Sequence, residues 1–323
     1  MKKLIIFINL LLVIFLASCR MQTQLPDNYN DSEFGYLDIK KDNLKIMQLT
    51  DLHFTYGFDY LDQKTFRLLN DLIIQQNPNI IVITGDLFMS IFALPILRRF
   101  IKFIEDYQIP WTITFGNHER EYHSMEQIVK VLMEAKTNYL YFHYGPKLSD
   151  NYSHGYANFK LKITNGSKPI VNLYLLDTKA NRTDKIKDKR FPYDYLSLEQ
   201  VEWYKTELTN DTVGSLAFMH IPLKQFLNYD GDDINETIWA QGLDTGFFDA
   251  IITSGKKTKA VFVGHDHLNR FSFYYEDILL AYGFSSGYNA YGSVNKGARI
   301  IELTYLAPFD YEIETYLVSD VEV

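Results

Sequence analysis

The sequence predicts a layered α/β fold in which helices pack against a sheet. From residue 43 onward, short runs of β-favouring apolar residues alternate with segments whose apolar residues recur at helical spacing. Most of the extended runs stop abruptly at a glycine or a polar cluster, as strands do where they leave a buried sheet. The chain has 323 residues, 47% of them hydrophobic, enough for one large core.

The elements follow in order. KIMQLT (45–50) reads as a strand, TFRLLNDLIIQQ (65–76) as an amphipathic helix, and NIIVITGD (79–86) as a buried strand ending at Gly85. IFALPILRRFIKFIEDY (91–107) is helical, with Pro95 in its first turn, where a missing N–H is harmless. WTITFGNH (111–118) is again a strand that stops at a glycine. This β-α-β-α-β rhythm is the signature of helices laid on a sheet. The second half holds more strands: FKLKIT (159–164), IVNLYLLD (170–177), SLAFMH (215–220) and KAVFVG (259–264). A helix at 197–208 opens on a capping box, Ser197 with Gln200, and another lies near 244–255. RFSFYY, ILLAYG and ARIIEL imply an antiparallel finish. No internal repeat is visible.

The first 42 residues differ in kind. After the basic start MKK, residues 4–17 form an apolar run broken only by Asn9. A bilayer span needs about 20 apolar residues, so this run has the length of a secretory leader. It ends in LASC, which resembles the lipobox of bacterial lipoproteins, and Cys19 is the only cysteine. The expectation is a signal peptide over 1–18, lipidation at Cys19, a polar tether over 19–42 and a folded domain over 43–323, anchored by lipid at the extracytoplasmic face of a bacterial membrane. The alternative is an uncleaved anchor helix. With one cysteine, no intrachain disulfide stabilises the domain. A formal net charge of -8 argues against broad nucleic-acid binding but leaves room for a small anionic substrate. The run KANRTDKIKDKR (179–190) reads as a solvated loop or, alternatively, as a basic lip drawing anions inward.

Chemistry-bearing residues sit at the ends of five predicted strands. Asp51 and His53 follow the first; Asp86 follows Gly85; Asn117, His118 and Glu119 follow Gly116; His220 ends SLAFMH; His265, Asp266 and His267 follow Gly264. In open α/β sheets the binding crevice lies at the carboxyl ends of the strands, so these groups converge if the strands are neighbours. In extended backbone, i and i+2 point to one face, which would project Asp51 with His53 and His265 with His267. The three glycines allow sharp turns and close approach. Asp51, His53, Asp86, Asn117, His220, His265 and His267 make seven candidate ligands. With one carboxylate shared they fill four positions on each of two ions, more than a single tetrahedral ion uses. Imidazole, carboxylate and amide without thiolate suits Zn, Mn or Fe. Two divalent ions against two aspartates leave about +2, which favours a phosphate-like anion. His123, His143 and His154 fall outside the set and read as ordinary.

The motifs DLH (51–53), GD (85–86), GNHE (116–119), MHIP (219–222) and GHDH (264–267) resemble those of the calcineurin-like metallophosphoesterase superfamily over residues 43–305. Asn269 after GHDH, and Gly297-Ala298-Arg299, are similar to its purple-acid-phosphatase-like branch. Met89 stands where purple enzymes carry a tyrosine ligand, so a tyrosinate–iron(III) centre is not expected. The resemblance implies a four-layer αββα sandwich of two packed mixed sheets flanked by helices. It implies one metal ion on Asp51, His53, Asp86 and His267, and a second on Asp86, Asn117, His220 and His265, with Asp86 bridging. It further implies in-line attack on a phosphoester by a bridging hydroxide, with His118 as the general acid. Glu119 or Asp266 would orient a histidine, or simply face solvent; Arg120 would touch phosphate or lie on the surface. A phosphomonoesterase is the expectation. A phosphodiesterase or nuclease on the same centre is one alternative, and a catalytically silent surface-binding lipoprotein is the other.

Overall fold

In the computed structural model, residues 36–146, 148, 154–182, 190–292 and 295–320 are described. The leader, Cys19, the tether up to residue 35 and most of the basic run (183–189) lie outside them. No helix among the described residues is long and apolar enough to cross a membrane.

Two mixed sheets stack face to face. The first has seven strands in the order β1-β5-β6-β7-β8-β10-β9, where β1 is Tyr36–Asp38, β5 Phe159–Asn165, β6 Lys168–Leu175, β7 Ser215–Phe218, β8 Thr258–Val263, β9 Ser272–Tyr275 and β10 Ile278–Tyr282. The second has five in the order β12-β11-β2-β3-β4, where β2 is Asn43–Leu49, β3 Ile80–Thr84, β4 Trp111–Thr114, β11 Gly297–Ala307 and β12 Asp310–Ser319. Helices α1 (Tyr60–Gln76), α2 (Ala93–Glu105) and α3 (Met125–Glu134) contribute to the core that includes the five-stranded sheet. Helices α4 (Leu198–Asn210) and α5 (Phe247–Thr253) pack on the outer face of the seven-stranded sheet.

The alternation along a strand makes these layers. In β8, Ala260 and Phe262 enter the core shared with the five-stranded sheet, while Val261 and Val263 face α4 and α5. In β7, Leu216 and Phe218 point one way and Ala217 the other. Both faces of the seven-stranded sheet are therefore apolar, as helices on one side and a second sheet on the other require. The resulting αββα sandwich is the expected fold.

Three readings change. The segment assigned to the tether already contains β1, which pairs in parallel with β5 and buries Leu37 between exposed or half-buried neighbours. Helix α3 was unread, although Ser124 and Gln127 form a capping box like that of Ser197 and Gln200. The antiparallel finish is divided. β9 and β10 form a hairpin at the edge of the seven-stranded sheet, whereas β11 crosses to the other sheet and pairs with β2 and with β12, also unread. Local pattern specifies a strand, but sheet membership depends on which strand edge is left to pair.

Candidate metal centre

β2, β3 and β4 are parallel neighbours, as are β7 and β8, so their carboxyl ends emerge together. Polar bonds then stitch the two sheets at this rim. The Gln48 amide donates to the Val263 carbonyl (3.0 Å) and the Thr84 hydroxyl (3.0 Å), and a His220 Nδ1–Thr84 carbonyl bond (2.8 Å) ties the sheets again. The five strand ends consequently meet.

The backbone there is not extended, which corrects the i, i+2 reading. Asp51, His53, Asp86 and His265 all adopt positive φ, at 54°, 49°, 51° and 78°. Such left-handed residues cost of order 1–3 kcal/mol each and persist where surrounding bonds fix them. Asp51 N–H donates to the Gly85 carbonyl (3.2 Å), His53 N–H to the Asp86 carbonyl (3.0 Å), and His265 N–H to Asp51 Oδ2 (3.2 Å). Each loop holds its neighbour in the strained conformation.

The seven expected donors are brought together. His53 Nε2 and His267 Nε2 lie 3.1 Å apart, and Asp51 Oδ1 is 3.4 Å from His267 Nε2. Asp86 Oδ2 is 3.1 Å from His220 Nε2 and 3.5 Å from His53 Nε2, which puts Asp86 between the two groups. Asn117 Oδ1 is 3.1 Å from His220 Nε2. Ligand atoms of Asp51, His53 and His267 fall within 4.8 Å of one another, and so do those of Asp86, His220 and His265. Six of the donors are buried and Asn117 is half-buried.

The residues fit a pair of cations. Asp51 Oδ1 and His265 Nε2 are buried without a hydrogen-bond partner, and such orphaned atoms are costly unless something else satisfies them. Electrostatics point the same way. Burial alone would lower the His220 pKa, but the charge and hydrogen bond of Asp86 outweigh it and raise it to about 10. His265 moves oppositely: burial and the His220 charge push it down to about 3. Burial would raise Asp86, yet the charges of His220, His118 and His53 hold it below the usual carboxylate range. Two buried aspartates facing several imidazoles thus form a cation-demanding cluster with one imidazole already neutral. The His220 Nδ1 bond to Thr84 leaves Nε2 as its ligating nitrogen.

His118 lies at the mouth. Its ring reaches the neighbourhood of His53 and Asp86, but Nε2 stays 3.9 Å from Asp86 Oδ2 while Nδ1 bonds Glu121 Oε1 at 2.7 Å. Glu121 was not singled out in the sequence, although a carboxylate three residues on in a tight turn is a readable partner. Glu119 orients no histidine. Buried, it accepts the backbone N–H groups of Asp86 (3.1 Å), Leu87 (2.6 Å) and Gly116 (2.7 Å), clamping two loops. Asp266 likewise binds Tyr282, Trp239 N–H and Asn269 rather than a histidine. Asn269 accepts from the N–H groups of Asn235 and Glu236, and Arg299 from β11 bonds the Tyr282 and Arg270 carbonyls, so both branch-like residues brace loops. Arg120 neither touches the cleft nor floats free; it pairs with buried Asp177. Lys179, at the start of the basic run, bonds the Tyr195 carbonyl and turns inward.

Above the donors is a cleft of about 410 Å³. Its walls include Met89, already marked by its place after the second motif, and Tyr193, Trp239 and Tyr291, which carried no recognisable signal in the sequence.

The sequence profile of the calcineurin-like phosphoesterases matches residues 44–269. The chain belongs to the calcineurin-like phosphoesterase family. Among curated relatives of this family member, the Arabidopsis thaliana protein named "Probable inactive purple acid phosphatase 29" is 27% identical over 80% of this chain and 76% of its own length. "Probable inactive purple acid phosphatase 14" from the same plant is 28% identical over 79% and 73%. Among solved structures, a dimetal phosphatase from Danio rerio superposes with a TM-score of 0.54 at 13% identity, covering 85% of this chain and 98% of that one. A candidate 5′-nucleotidase from Staphylococcus aureus superposes with a TM-score of 0.53 at 13% identity, covering 86% of this chain and 54% of its own, so this chain spans about half of that protein. At such identities the structural likeness establishes the sandwich fold.

Proposed function

We propose that this phosphoesterase-family protein is a dinuclear metal-dependent phosphomonoesterase, held by lipid on Cys19 at the extracytoplasmic face of a bacterial membrane. The observation that carries the reading is the position of Asp86 between His53 (3.5 Å) and His220 (3.1 Å), where two buried donor groups with unsatisfied atoms meet. Asp51, His53, Asp86 and His267 would hold one ion, and Asp86, Asn117, His220 and His265 the other. Ions of the Mn, Fe or Zn type bound there supply Lewis acidity, neutralising phosphoryl charge and lowering the pKa of water. The chain supplies the proton. With Nδ1 engaged by Glu121, His118 presents Nε2 to the cleft and protonates the leaving oxygen.

A second reading is a metal-holding protein without turnover, favoured by the relatives named inactive. The presence of His118 beside a complete donor set argues for catalysis, because holding metal alone gives His118 no task. Elemental analysis of the purified protein, combined with turnover of p-nitrophenyl and bis-p-nitrophenyl phosphate, decides. Two ions per chain with faster monoester hydrolysis is the expected result. Faster diester hydrolysis assigns the centre to diesters, and bound metal without hydrolysis of either assigns it to binding.

A further inference from the structure

Outside the donor set the cleft is lined by His118, Asn289 and Ala290 and by four large side chains, Met89, Tyr193, Trp239 and Tyr291. Tyr291 stacks on the His267 ring with centroids 4.0 Å apart, yet 53% of its surface remains exposed. Its hydroxyl is anchored on Glu236, which also accepts the Leu268 N–H, so the ring is fixed at both ends. Tyr193 meets His265 edge-on at 4.2 Å and Trp239 edge-on at 6.2 Å. The Trp239 backbone is pinned to Asp266, which Tyr282 holds in turn. Tyr291 is thus held through its hydroxyl and Trp239 through its backbone, and the rings remain partly open toward the cleft. Met89, 36% exposed, adds a polarizable thioether to the same wall. Among the described residues no lysine or arginine lines the cleft. Beyond the metal centre, His118 and the Asn289 amide, the cleft thus offers π-faces and a thioether instead of lysine or arginine charge.

We propose that these residues form a leaving-group subsite for a flat aromatic ring, so that the preferred substrates are phosphomonoesters whose alcohol carries such a ring. The proposal rests on the phosphoesterase reading for the position of the phosphoryl group. Stacking on fixed aromatic side chains is sequence-tolerant binding of the kind proteins use for nucleobases. A volume of about 410 Å³ lies in the range of small-molecule sites.

Adenosine 5′-monophosphate and ribose 5-phosphate test it, since both release a primary 5′-alcohol and differ at the base. In the full-length, metal-loaded protein kcat/KM is expected to be about tenfold or more higher for the nucleotide, as stacking predicts. Trp239→Leu and Tyr291→Leu should each bring the ratio toward one. Calorimetric titration with adenosine and with ribose gives a second readout that needs no turnover, with adenosine alone expected to bind and both variants weakening it. A wild-type ratio near one without adenosine binding overturns the subsite and leaves the phosphoesterase reading standing. A high ratio or adenosine affinity unchanged in both variants also overturns it. Adenosine binding lost in the variants, with neither ester hydrolysed, upholds the subsite and removes the catalytic reading.

Discussion

At the scale of single residues, function divides between groups that would hold metal and one that would not. His118 is a quarter exposed and bonded to Glu121 through Nδ1. His118→Ala should keep both ions by elemental analysis yet lose about 10²–10⁴-fold in rate on alkyl phosphates. The loss on p-nitrophenyl phosphate should be much smaller, because that leaving group departs without a proton; equal losses would remove the acid role. Glu121→Gln should lower alkyl phosphate turnover less than His118→Ala and leave p-nitrophenyl phosphate turnover nearly unchanged, because the ring loses only the carboxylate that orients it. Asp86 stands between the two donor groups. Asp86→Ala should therefore lower metal content at both positions, and a variant that still holds two ions tightly would contradict sharing.

At the scale of elements, the loops after β3 and β4 behave as one unit. Gly85 has φ of 91°, and a side chain on it would meet Gly116 N at 2.5 Å. A Cβ on Gly116 would lie 2.2 Å from Asp86 Oδ1 and 2.6 Å from Asp86 N, leaving no relaxation open except separation of the loops. Gly116→Ala should reduce both the melting temperature and the number of bound ions. Glu119 tests the clamp chemically. Burial first, then the Asp86 charge, raises its pKa to about 7, yet both of its oxygens accept backbone N–H groups. Glu119→Gln turns an acceptor into a donor facing a donor, and should destabilise the metal-free protein by about 2 kcal/mol in denaturant titrations.

At the scale of the whole molecule, the site is a seam. Asp51, His53, Asp86 and Asn117 follow strands of the five-stranded sheet, and His220, His265 and His267 follow strands of the seven-stranded one. Ions bound across the seam would join the two sheets. A ligand held at about a thousand times its Kd adds about 4 kcal/mol to the folded state. Chelation should then lower the melting temperature by on the order of 10 °C, and calorimetric scans with graded metal should restore it. The pH dependence has a definite sign. His220 carries a proton up to about pH 10 in the metal-free protein, so metal must displace it at neutral pH. Apparent affinity should rise with pH by up to about tenfold per unit, with proton release measurable from the buffer dependence of the binding heat.

The sequence by itself determined most of the strands, from β2 to β11, and pointed to the seven candidate donors that the fold gathers. Apolar runs ending at Gly85, Gly116 and Gly264 mark where a buried chain must turn, and donors at such ends face one crevice when the strands are neighbours. Tertiary structure decided the rest, because it depends on contacts between residues far apart in the chain. The left-handed φ of Asp51, His53, Asp86 and His265 is imposed by carbonyls and carboxylates of other loops. The sheet that β11 joins depends on the edge that β2 leaves unpaired. Glu119 became a backbone clamp, and Tyr193, Trp239 and Tyr291 became cleft walls, since folding brings their loops against the donors. An aromatic residue in a polar loop has no periodicity to announce it; only the packed neighbour, absent from the local sequence, gives it a place.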